Sequence, residues 1–149
     1  MSVASASIDD SLDALKKKYG DAEPNTYRPD LYPTSYEFRR DGIKVSVTPF
    51  AKLAKKIDVF FDAAQAEPAE VLLERYSGRH GWKQLPTSDS AFAKHFPLFS
   101  TEGRNSFYSC GGVVALVQRD VGLGKLILWI QTTDYPDLLA QSRRSKENG

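Results

Sequence analysis

Two hydrophobic periods alternate along the chain. Ile8, Leu12, Leu15 and Tyr19 recur at intervals of four, three and four, which places them on one face of a helix. Ser7, Asp9 and Asp10 suit its cap and first turn, and Gly20 suits a positive-φ position just past its end. The following "DAEPNTYRPDLYPTS" holds three prolines and reads as an extended surface loop.

From Tyr36 the period falls to two. In "YEFRRDGIKVSVTPF" the dipeptide Asp41-Gly42 separates two alternating runs, a strong hairpin signal because a type I′ turn needs positive φ at both central residues. A two-residue loop pairs Arg40 with Ile43, Phe38 with Val45 and Tyr36 with Val47. That register puts the apolar side chains on one face and Glu37, Arg39, Lys44 and Ser46 on the other. "KKIDVFF" supplies a third strand with Ile57, Val59 and Phe61 inward.

The second half repeats this order. Pro68 opens a helix, Glu70 favours its first turn, Leu72, Leu73 and Tyr76 form its packing face, and Gly78 ends it. Gly112 lies 70 residues after Gly42, and at that offset Phe38, Ile43, Val45, Val47, Ile57 and Val59 map onto Tyr108, Val113, Ala115, Val117, Ile127 and Trp129. The two helices are offset by only 57 residues, from Tyr19 to Tyr76, so the second unit carries 13 extra residues within about 79–105. "VVALV" and "LILWI" are apolar on both faces, which suggests central strands or a sheet covered on each side. A further helix start, "DYPDLLAQ", precedes a polar end at 142–149 that is expected to be flexible, as are residues 1–6.

The expected fold is α+β. Residues 1–149 form a single domain of two tandem helix-plus-antiparallel-meander units, about 8–61 and 68–132, joined in one sheet with the helices packed on one face.

A short helix ending in Tyr-Gly, a nearby proline, an aromatic-led strand, a hairpin and the strand pair "IKVSVTPFAKLAKKIDVFF" resemble the small exported α+β proteins of the outer-membrane assembly lipoprotein type. They are similar too to the β-lactamase-inhibitor-protein architecture, in which a helix-plus-meander unit occurs twice. The resemblance implies protein binding outside the cytoplasm and no catalysis. The chain departs from it in having no lipid-bearing cysteine near the N-terminus and no paired cysteines.

Composition adds limits. With one cysteine, Cys110, no internal disulfide can form. No run approaches the roughly 18 apolar residues of a membrane-spanning helix, so no transmembrane segment is expected. The net charge of +1 offers a polyanion no long-range attraction, which argues against nucleic-acid binding. Ala4-Ser5-Ala6 matches the A-x-A end of a signal peptide, although the basic and apolar regions that should precede it are missing. An exported, periplasmic or envelope protein is therefore expected, with the cytoplasm as the alternative.

Candidate chemistry is sparse. His80 and His95 are the only histidines and lie in no metal-ligand spacing, so no metal or cofactor is expected. Cys110 beside Gly111-Gly112 reads as a small thiol at a strand pair, since a nucleophile would need a stabilised thiolate and an orienting partner. "SCGGVV" and "GLGK" lack the spacing of phosphate loops and read as hairpin turns.

The 79–105 insertion is the most informative stretch, because long loops in compact domains are often functional. It concentrates Arg79, His80, Trp82, Phe92, His95, Phe96 and Phe99, types favoured at protein interfaces. The expectation is a non-enzymatic module that binds a protein partner through an aromatic patch left exposed by this stretch. Two alternatives stand beside it: a carrier of a small hydrophobic ligand in a helix–sheet cleft, and, third, an enzyme.

Overall fold

The computed structural model describes residues 7–26, 29, 32–101, 104–120 and 124–148; the Ala4-Ser5-Ala6 pattern, the rest of 1–6 and residues 122 and 123 of the "GLGK" turn lie outside them. The chain forms α1 (Leu12–Tyr19), β1 (Glu23–Asn25), β2 (Ser35–Arg40), β3 (Ile43–Phe50) and β4 (Leu53–Phe61), then α2 (Ala69–Ser77), β5 (Lys83–Leu85) and α3 (Ser90–His95). It ends with β6 (Asn105–Cys110), β7 (Val113–Asp120), β8 (Lys125–Thr132) and α4 (Tyr135–Asn148). All eight strands join one antiparallel sheet in the order β1-β2-β3-β4-β8-β7-β6-β5.

The expected hairpin register holds. Arg40, Phe38 and Tyr36 pair with Ile43, Val45 and Val47, and Asp41 and Gly42 adopt φ of 51° and 78°, as a type I′ turn demands. Cys110 and Val113 close the β6–β7 hairpin in the same way around Gly111-Gly112. The third strands do not obey the same spacing. Val47 pairs with Ile57, but Val117 pairs with Leu128, so Leu128 and Ile130 hold the core positions and Ile127 and Trp129 face the opposite side. The expected match of Ile57 and Val59 to Ile127 and Trp129 is therefore corrected by one residue, which in a strand exchanges the faces.

The near face of the sheet carries α1 and α2. Leu15, Leu72, Leu73 and Tyr76 close over Phe38, Val47, Val59, Leu128 and Ile130, and all of these are buried. The far face carries α3 and α4, so the expectation of helices on one face alone is corrected. There Phe92 and Phe96 of the α3 segment pack on Phe107, Val114 and Leu116 in a second, smaller cluster. "VVALV" and "LILWI" are apolar on both sides because β7 and β8 are covered on both sides.

Helix α1 begins later than its periodicity suggests. Ser11 is its N-cap, accepting from Ala14 N at 3.1 Å, and Ile8 precedes the helix but is still buried. The cause is tertiary pairing. Asp9 N donates to Ala54 O, Ala54 N donates to Asp10 O, both at 2.8 Å, and Ile8 N donates to Ser77 O at 2.9 Å. These bonds take the backbone groups that an earlier helical turn would use. The strap made by residues 7–11 thus ties β4 to the end of α2. It runs so close to Gly78 (φ 70°) that a Cβ there would lie 2.4 Å from Ser7 Oγ.

One expectation about loops also changes: the proline-rich stretch contains β1, paired to β2. The last helix, α4, runs from Tyr135 to Asn148. Among the described residues no helix is long and apolar enough to cross a membrane.

Candidate functional cleft on the far face

The insertion folds back onto the sheet. Asp89 caps α3, its carboxylate accepting from Ala91 N at 2.9 Å, and the short helix presents Phe92 and Phe96 downward. Phe92 and Phe96 meet Phe107 edge-on at centroid distances of 5.6 and 6.1 Å. Phe96 meets Phe99 at 6.0 Å, and Phe99 meets Trp129 at 5.3 Å. Trp82 lies under the other face, its indole N–H shared between Ser77 Oγ at 3.2 Å and Arg79 O at 3.1 Å.

Trp82, Phe92 and Phe96 are only 7%, 2% and 2% exposed. The expected exposed aromatic patch is thereby corrected: these rings fill the sheet's two cores because burying each large apolar side chain stabilises by roughly 1.5–3 kcal/mol. Arg79 and His80 are near the surface on the other side, bonded to Asp9 at 3.4 Å and lying 3.6 Å from Glu74. Of the seven residues singled out in the sequence, His95, Phe96 and Phe99 border a cleft.

That cleft lies between α4, the Phe96–Phe99 loop and the far face of β4 and β8. It encloses about 430 Å³, with Tyr32, Lys56, Phe99, Trp129, Tyr135 and Leu139 among its walls. A second hollow of about 460 Å³ adjoins it along Tyr32, Lys56, Trp129 and Tyr135 and is bordered by Ser46, Thr48 and Asp58.

Two buried polar pairs form the boundary. Lys56 Nζ donates to Asp58 Oδ2 and lies 5.2 Å from the Trp129 ring centre, a cation–π contact. Asp58 is 5% exposed, and its Oδ1 has no hydrogen-bond partner. Burial pushes its carboxyl above the usual range, against the lowering effect of the Lys56 and Lys44 charges. His95 Nδ1 donates to Gln131 Oε1 at 2.7 Å. Burial lowers the His95 pKa despite that bond, so its imidazole is held neutral. Burial likewise raises the Tyr135 phenol, aided by the nearby Asp58 charge.

Cys110 stands apart from all of this. Its Sγ donates to the backbone carbonyl of His80 at 2.9 Å, not to an imidazole, and burial raises its pKa above that of an ordinary thiol, the opposite of an activated nucleophile. Among the described residues no cluster of three or more His, Cys, Asp or Glu could hold a metal ion. The cleft presents ring faces, the Lys56 and Lys94 ammonium groups, the Arg143 guanidinium and the Tyr32 and Tyr135 hydroxyls around a concave wall.

The cleft residues Tyr32, Lys56, Asp58, Trp129 and Tyr135 carry no motif. A signal did exist in "KKIDVFF", where Lys56 and Asp58 alternate with Ile57 and Val59. Charges on the second face of a strand central to the sheet have to be bonded to something or exposed to something.

No protein-family model and no curated protein matches this chain. A solved structure similar to it is a cysteine-rich secretory protein from Staphylococcus aureus subsp. aureus Mu50, with 13% identity and a TM-score of 0.49 over 84% of this chain. The match spans 43% of that protein, less than half its length.

Proposed function

We propose that the chain is a non-enzymatic binding module whose binding site is the far-face cleft, a helix–sheet site for a small ligand. One observation carries the reading: a half-buried tryptophan, Trp129, forms a wall shared by two adjoining hollows whose other walls are aromatic and cationic. Sites for small molecules are concave, of roughly 300–1,000 Å³, and mostly apolar with a few placed polar groups. The raised thiol of Cys110 and the neutral, Gln131-bound His95 also favour binding over catalysis.

The reading keeps two expectations from the sequence as proposals. The sheet is built from two helix-plus-meander units, which the matching Asp41-Gly42 and Gly111-Gly112 hairpins favour. The module works outside the cytoplasm, as the resemblance to exported α+β proteins implies.

A fragment screen by ¹H–¹⁵N NMR on the full chain tests the cleft. Responding compounds should move Trp129, Gln131 and Leu98 more than any other residues. Responses confined to the near face, or no response at millimolar concentration, would overturn the proposal.

A second reading is a protein partner. It is favoured by Leu98, which stands 90% exposed at the lip of the cleft, where an exposed leucine could insert into an apolar partner surface.

A further inference from the structure

We infer that the hollow beside Asp58 takes a neutral saccharide, with two adjacent hydroxyls of the sugar bridging Asp58 and Lys56 and its ring resting on the aromatic wall. This assignment rests on the far-face cleft being the binding site and names what that site recognises.

The sheet itself builds the site. Across β3, β4 and β8, Ser46, Asp58 and Trp129 pair in one row, and Thr48, Lys56 and Gln131 pair in the next. The residues between them, Val47, Ile57 and Ile130, belong to the near-face core, so alternation puts both polar rows on the far face. Strands inside an eight-stranded sheet are held by a ladder on each side, which keeps these groups at fixed spacing.

Hydrogen-bonding capacity is left over in those rows. Asp58 is 5% exposed and lines the hollow of about 460 Å³, yet its Oδ1 has no donor. A buried acceptor without a donor is rare in a folded protein and calls for one. Lys56 gives one of its three ammonium hydrogens to Oδ2 of the same carboxylate, which leaves two to donate. Ser46, Thr48 and Tyr135 add hydroxyls to the wall, each able to donate and to accept.

Charge and shape then select the ligand. Lys56 and Asp58 are the one lysine and the one carboxylate lining this hollow, and they are paired with each other. An ionic ligand would have to part them, whereas one hydroxyl can accept from Lys56 while its neighbour on a ring donates to Asp58 Oδ1. Trp129 is held edge-on by Phe60 at 5.5 Å and tilted against Phe99 at 5.3 Å. With Tyr32 and Tyr135 it offers fixed ring surface to the C–H face of such a molecule.

The test titrates the methyl glycosides of glucose, galactose, mannose and N-acetylglucosamine into the full chain beside cyclohexanol, a ring with a single hydroxyl. The Trp129 indole N–H is the reporter and the buried Trp82 indole the control. At least one glycoside should shift Trp129 saturably at millimolar concentration and bind about tenfold tighter than cyclohexanol or better, since a site built to bond hydroxyls rejects a ring that lacks them. Its affinity should hold when salt is raised about tenfold. Lys56→Met combined with Asp58→Leu removes the pair without leaving either charge buried alone, and should abolish glycoside binding while the Trp82 signal stays in place. Thr48→Val should weaken the binding severalfold, and it decides the matter if the double variant does not fold. Cyclohexanol binding as tightly as every glycoside, an affinity that falls with salt, or glycoside binding untouched by these variants would overturn the saccharide assignment while keeping the cleft as the site. No Trp129 shift from any of the five compounds would overturn both readings.

Discussion

His95 borders the cleft and Asp58 the hollow that adjoins it, and burial moves their pKa values in opposite directions. Burial holds the folded pKa of His95 below its ordinary 6.5, so the unfolded chain takes up the proton first. The stability it contributes is complete above pH 6.5 and is lost as pH falls toward the folded value. Asp58, whose folded pKa lies above 3.8, behaves in reverse: its contribution is complete below 3.8 and is lost as pH rises through the folded value. His95→Gln should therefore remove part of the stability loss between about pH 7.5 and 5.5. Urea midpoints for the two proteins at both pH values check this, and parallel pH slopes would show that His95 carries no such linkage.

At the scale of elements, the turn between β3 and β4 is the strained one. Ala51 and Lys52 both adopt left-handed φ, 51° and 67°, between the paired Phe50 and Leu53. This is the backbone that Asp41-Gly42 accepts easily. An L-residue there costs roughly 1–2 kcal/mol, and a glycine's extra chain entropy offsets roughly 0.5–1 of any relief. Lys52→Gly should stabilise the protein by about 0.5–1 kcal/mol on that difference. Thermal and urea denaturation read it directly, and a destabilised variant would mean that the Lys52 side chain contributes more than its backbone conformation costs.

The same two turns show what the sequence discloses. Asp41-Gly42 declares its turn type, and a declared turn fixes a register, so β2, β3 and the start of the sheet were legible. Ala51-Lys52 declares nothing. Without a turn signal there, and with a bulge at Thr48/Pro49, the one-residue difference between β4 and β8 was invisible, and Trp129 was assigned to the wrong face. β5 and α3, of three and six residues, are too short to show a period. The cleft was illegible for a further reason. Its walls come from β4, β8, α4 and two loops, and only the folded sheet brings them together.

At the scale of the molecule, one feature sets how the chain is divided. Among the described residues, β4 and β8 are the only strands through which the sheet elements before Asp62 pair with those after Pro68; the strap to Ser77 and the helix packing add to that seam. Asp62–Ala64 are exposed. A protease cut there would yield two pieces of four adjoining strands each, with the broken covalent link just past Phe61, the last β4 residue paired with β8, so the ladder itself is left intact. Such a nicked protein should stay together in native buffer and migrate at the size of the intact chain in gel filtration. It should come apart only in denaturant and regain its near-UV circular dichroism when the pieces are mixed again. Pieces that separate unaided would mean the seam alone cannot hold two halves. If they do reassemble, the molecule is a natural split reporter: fused to two other proteins, its halves would rejoin and restore Trp129 to its wall only when those proteins meet.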